Sequence, residues 1–168
     1  MQSERRTLRE GLIVGFIAYA AVALFYFIFD VLASRGALFT VDMLGKAVFR
    51  GLRDPAVLLF PAVIDTAAIF WYNALHLALA LAIGVFVTRL VAEAERRPAR
   101  GPIVWLTVLA GGVITVMVVG YLTQPMRTVL PWWSIVVANV LAAALAGFYL
   151  LSQHPALLRH GRPFVPAR

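Results

Sequence analysis

A chain of 168 residues that is 62% hydrophobic and 14% charged is too short to bury its apolar surface in a water-surrounded core, so lipid must cover part of it. Its formal net charge of +7 lies in short basic clusters beside apolar runs, which suits anionic headgroups and argues against a nucleic-acid partner. With no cysteine, the chain has neither a disulfide framework nor a thiolate metal site.

Residues 1–10 carry Arg5, Arg6 and Arg9 and read as a cytoplasmic N-terminal segment. A helix needs roughly 20 apolar residues to cross the hydrocarbon core. The first such run is 11–33, "GLIVGFIAYAAVALFYFIFDVLA". It lacks the small-residue cleavage site of a signal peptide and is expected to be retained. Its G-x-x-x-G, Gly11 and Gly15, begins at the membrane boundary and counts as a weak packing motif.

Residues 40–53 follow with helical periodicity. Val41, Leu44, Val48 and Leu52 share one face; Asp42, Lys46, Arg50 and Arg53 share the other. Thr40 is the expected N-cap, with Asp42 in the first turn, where a negative charge suits the helix dipole. This short amphipathic helix should either lie flat on the outer leaflet or pack over the mouth of the bundle. Spans two, three and four are expected at about 62–90, 103–122 and 132–152. Pro61 suits the first turn of span two. Pro125 and Pro131 bracket a hairpin before span four, and Trp132 and Trp133 there read as interface anchors. The tail, 153–168, reads as a frayed cytoplasmic end in which His154 and His160 are solvated.

Together these segments predict an all-α, four-transmembrane-helix bundle in one domain, 11–152, with a short amphipathic surface helix between spans one and two. Arginine clusters precede span one, follow span two (Arg89, Arg96, Arg97, Arg100) and follow span four (Arg159, Arg162, Arg168). Short basic loops stay in the cytoplasm, so both termini are expected there. Arg35, Lys46, Arg50 and Arg53 depart from the rule, and the amphipathic helix accounts for them.

Polar residues inside the spans are the candidates for function, because lipid offers them no partner. On span two, Asp65, Tyr72 and His76 form one stripe with Asn73 beside it. Matching depths predict an outer-half cluster of Asp30, Asp65, Asn73 and Asn139 with His76 beneath. The plainer readings are that Asp30 and Asp65 cap or pair near span ends, that Asn73 and Asn139 join helices, and that His76 donates to a neighbour. Gly112 with Gly120 on span three, and Ala143 with Gly147 on span four, are expected to pack those two spans tightly. Haem at His76 is disfavoured by ligand count: no other histidine lies in a span, and Met117 is the one methionine in one. No catalytic or metal-ligating set appears: no HExxH, no Ser-His-Asp at a common depth and no glycine-rich phosphate loop.

Taken together, "DPA" at 54–56, "YNALH" at 72–76, "PWWSIVVAN" at 131–139 and "HPALL" at 154–158 give a chain that resembles a group of small, uncharacterised four-span bacterial membrane proteins. The resemblance implies a bacterial inner membrane and brings no activity, substrate or cofactor. The expected role is that of a non-catalytic accessory or scaffolding subunit, whose partners are the lipid bilayer and other membrane subunits or a second copy of itself. The alternative is a small transporter or proton-handling protein using His76 and the outer cluster; a membrane haem protein comes third.

Overall fold

The computed structural model describes residues 2–51 and 63–155. Their regular structure is helical: α1 (Gln2–Leu32), α2 (Phe39–Phe49), α3 (Thr66–Arg96), α4 (Gly101–Leu122) and α5 (Trp132–Gln153). Single 3-10 turns, Pro98–Arg100 and Gln124–Met126, lead into and out of α4. Four helical stretches are long and apolar enough to cross a membrane: Glu4–Leu32, Thr66–Arg96, Pro98–Leu122 and Trp132–Gln153.

The ends of α3 follow from local chemistry. Asp65 has extended backbone, and its carboxylate accepts the Ala68 N–H at 2.9 Å, so α3 starts at Thr66 rather than at 62. α3 continues to Arg96, past the expected 90, and stops where Pro98 disfavours helical geometry at Arg97. Pro61, Leu52 and Arg53 lie outside the described residues.

α1 packs against α3 and α5, while α4 rests against α3 and α5 at the edge. The α1–α3 contact is a glycine seam. A Cβ on Gly11 would lie 2.5 Å from the Val85 Cα, one on Gly15 2.6 Å from the Leu81 Cα, and one on Gly84 2.7 Å from the Gly15 Cα. Only hydrogen atoms fit between these backbones, which is how small residues bring membrane helices into contact. The motif read as weak from its boundary position is thus the tightest seam described.

The packing expected between the third and fourth long helices lies elsewhere. A Cβ on Gly112 or Gly147 would meet open space within 4 Å, and Ala143 is exposed. α5 instead turns Ala138, Ala142 and Ala146 inward. The reason is rotational: the smallest residues of α5 are spread around it, and the seam with α1 claims the alanine face. Gly120 does mark a close contact, since a Cβ there would come within 2.8 Å of the Trp132 indole nitrogen.

α2 turns only part of the stripe of Val41, Leu44 and Val48 inward: Leu44 packs against an apolar cluster and Val41 is half-buried. It buries Thr40, Asp42, Met43, Gly45 and Ala47, and Val48 stays exposed. Gly45 lets the backbone of α2 approach the Ala68 carbonyl, so the narrow side of the helix faces inward. Met43 and Ala47 join Met126, Val129, Leu130 and Ile135 in one apolar cluster. α2 is therefore a packed connector over this end of the helices.

Candidate functional site

Three separate polar groupings stand where one outer-half cluster was expected. The first surrounds α2. Asp30 is buried and accepts from both the backbone N–H and the hydroxyl of Thr40, each at 2.7 Å. The cap of α2 thus comes from the end of α1; Leu38 occupies the N-cap position and supplies no side-chain bond. Asp30 acts here as a structural acceptor for an otherwise orphaned helix donor.

The second grouping is a chain of charges. Lys46 donates to Asp42 and to the Val63 carbonyl; Asp42 accepts the Asp65 N–H at 2.8 Å; Asp65 pairs with Arg50 at 2.9 Å. The Arg50 guanidinium, together with the Ala68 N–H, holds the Asp65 carboxyl well below the usual carboxylate range, at about 2. Nearby, Arg35 donates to the Val129 carbonyl at 2.6 Å and lies over the Phe29 and Phe39 rings, at 4.9 and 5.1 Å. One cation so clasps α1, α2 and the turn before α5.

The third grouping lies midway along the long helices. The Tyr19 hydroxyl of α1 donates to Asn73 Oδ1 at 2.9 Å, and the Asn73 amide donates to the Ile69 carbonyl one turn back at 2.9 Å. The His76 ring sits edge-on to Tyr19, with centroids 5.2 Å apart, and tilted against Tyr72 at 6.1 Å. Among the described residues His76 makes no hydrogen bond. Tyr19 is the member that the sequence reading missed; its signal was a hydroxyl at mid-depth in an otherwise aliphatic stretch.

Asn139 joins none of these groups. Its amide donates to Ile135 of its own helix at 2.8 Å. Asp65 is at the start of α3 and His76 three turns further on, so the stripe they share is two sites. Met117 points outward, 68% exposed, away from the Tyr19–His76 contact. Trp132 and Trp133 are half-exposed near the apolar cluster under α2, with Trp133 edge-on to Phe29 at 5.7 Å.

At the opposite end the structure corrects the expectation of a solvated His154. This residue caps α5 and is buried. Its Nδ1 lies 2.7 Å from Glu95 Oε2 on α3, and its Nε2 lies 3.3 Å from Glu10 Oε2 on α1. The second approach is an ion-pair distance without hydrogen-bond alignment. Glu10, equally buried, also accepts from Arg6 at 2.8 Å. The histidine therefore ties three long helices together. His160 lies outside the described residues.

Comparison with known proteins gives no further guide. No family model, no curated protein and no solved structure matches this chain. The four sequence stretches that suggested a bacterial group carry no family assignment, and function must be argued from the chain's own geometry.

Proposed function

We propose that this chain is a non-catalytic, multi-pass membrane subunit that assembles with other membrane proteins or with its own copies through α4. One observation carries the reading. α4 keeps its hydroxyls to itself: Thr107 and Thr115 donate to Ile103 and Gly111 of the same helix, as does Thr123 to Val119 just beyond its end. Its apolar side chains, among them Ile103, Leu106, Leu109, Ile114 and Met117, are more than 60% exposed on several sides. Gly111 and Gly112 leave open space where another helix could approach. α1 and α3 spend Gly11, Gly15, Gly84, Tyr19 and Asn73 on one another, whereas the glycines of α4 apart from Gly120 meet open space.

The four long apolar helices support a multi-pass bundle, and the basic-loop pattern supports placing both termini on the cytoplasmic side, in what we take to be a bacterial inner membrane. The assembly reading is tested by single-cysteine crosslinking, which the cysteine-free sequence allows without background. Gly112→Cys in native membranes is expected to give a defined crosslinked species, whereas Phe16→Cys on α1 gives none. Equal, diffuse crosslinking at both positions refutes the reading.

A second reading keeps one specific support. His76 is wedged between two tyrosine rings, and its ring nitrogens have no hydrogen-bond partner among the described residues. An imidazole so placed is a site for proton exchange. His76→Phe that preserves folding and assembly yet abolishes a proton flux in vesicles would favour this reading over a purely structural subunit.

A further inference from the structure

We infer that the groove beside the first turns of α1 binds a single anionic phospholipid, with its phosphate on Arg5 and Arg9 and an acyl chain along the apolar floor. The groove has a volume of about 600 Å³ and is lined by Arg5, Leu8, Arg9, Leu12, Ile13 and Phe16 of α1 with Leu81 of α3. It is shallow and open along its length, a shape that suits one acyl chain lying beside a helix. Apart from the two guanidinium groups, every lining side chain is aliphatic or aromatic. A soluble anion would find no complement for its remaining polar atoms, whereas an amphipathic one matches both parts.

Charge and depth agree. Arg5 and Arg9 are one turn apart on one helix face, where side chains four apart are neighbours. Both are exposed, and among the described residues neither is in an ion pair, while Arg6 between them is committed to Glu10. The apolar run begins at Gly11, so the two arginines stand roughly 3–9 Å beyond it at 1.5 Å per residue, the level of a phosphate. Phe16 lies about 7–8 Å below the boundary, at acyl depth. The inference rests on α1 crossing a bilayer and is independent of what α4 contacts.

The test is native mass spectrometry of the detergent-solubilised full chain, titrated with phosphatidylglycerol or phosphatidylcholine carrying the same acyl chains. At about one kcal/mol per arginine near an anionic surface, two arginines predict a preference for phosphatidylglycerol on the order of 30-fold. Arg5→Gln with Arg9→Gln should abolish it. Arg100→Gln, a charge removed from another surface, should leave it intact. Leu12→Trp, which narrows the groove while keeping both cations, should weaken the first bound phosphatidylglycerol. Inorganic phosphate at millimolar concentration should not compete. All of these positions are exposed, and circular dichroism checks that each variant stays folded. Equal binding of the two lipids, a preference surviving in the Arg5/Arg9 double variant, full binding in Leu12→Trp, or displacement by inorganic phosphate would each overturn the site.

Discussion

Asn73 spends its two polar ends differently: the amide returns to its own helix and the carbonyl oxygen reaches across to Tyr19. Only the second bond joins helices. Tyr19→Phe and Asn73→Leu should therefore each destabilise the protein by about 1 kcal/mol, and the double variant by little more than either alone, since both remove one contact. Thermal melts of the four proteins in one detergent close the cycle. Asn139→Leu should cost less, because its bond to Ile135 stays within α5. Asp65 gives a pH dependence. Its folded carboxyl is held at about 2 against an ordinary 3.8, so its contribution is complete above about pH 4 and fades as pH falls toward 2. Asp65→Asn keeps an N-cap oxygen but loses the charge; its melting temperature should fall less steeply than the wild type's across that window. At this scale the sequence disclosed which polar residues lay near helix ends and which lay deep. It could not disclose partners. Asn139 sits at a matching depth to Asn73, yet an amide on a helix always has the carbonyl four residues back within reach, and rotation about the helix axis decides whether it looks further.

The long helices were legible because length and apolarity alone nominate them, and lipid requires both. Their facing was not. α4 has hydrophobic residues around its whole circumference, so no periodicity points inward, and the other helices resemble it over most of their length. Glycines were the remaining clue and were ambiguous: eight stand on the four long helices, and only coordinates separate those that touch backbone from those that face outward. This yields a paired prediction. Gly84→Leu drives a side chain into Gly11 and Gly15 and should destabilise the fold by about 2–3 kcal/mol or more. Gly112→Leu meets open space and should change the melt of the isolated chain by less than about 0.5 kcal/mol. If α4 is the assembly face, the same Gly112→Leu should still weaken crosslinking or co-purification. α2 was legible as a helix and only in part in its facing, for a related reason: a narrow helix side bearing Gly45 makes the closest backbone approach to α3, and the apolar stripe turns inward only at Leu44 and Val41.

For the whole molecule, the antiparallel course of the long helices brings Glu10, Glu95 and His154 to one end and Asp30, Asp65 and Trp133 to the other. Glu4→Cys and Gln153→Cys should thus be labelled by an impermeant thiol reagent from the same side of sealed vesicles, and Gln124→Cys from the other. Labelling of the first two from opposite sides is incompatible with this arrangement. Hydropathy alone nominated four candidate crossings, and the arginine pattern proposes a direction for them. What neither could give is how firmly the ends are fastened, because His154 sits in a stretch whose prolines and arginines look like any loose tail.

The position of that histidine along the chain bears on biosynthesis. Glu10 and Glu95 emerge from the ribosome long before residue 154, and their helices can meet along the glycine seam as soon as α3 is inserted. Until the last helix arrives, the two carboxylates face each other's neighbourhood with no imidazole between them. A nascent chain stalled before this point has Glu10 held by Arg6 alone and lacks the imidazole that bridges the first two long helices; completion of the final turn supplies that bridge.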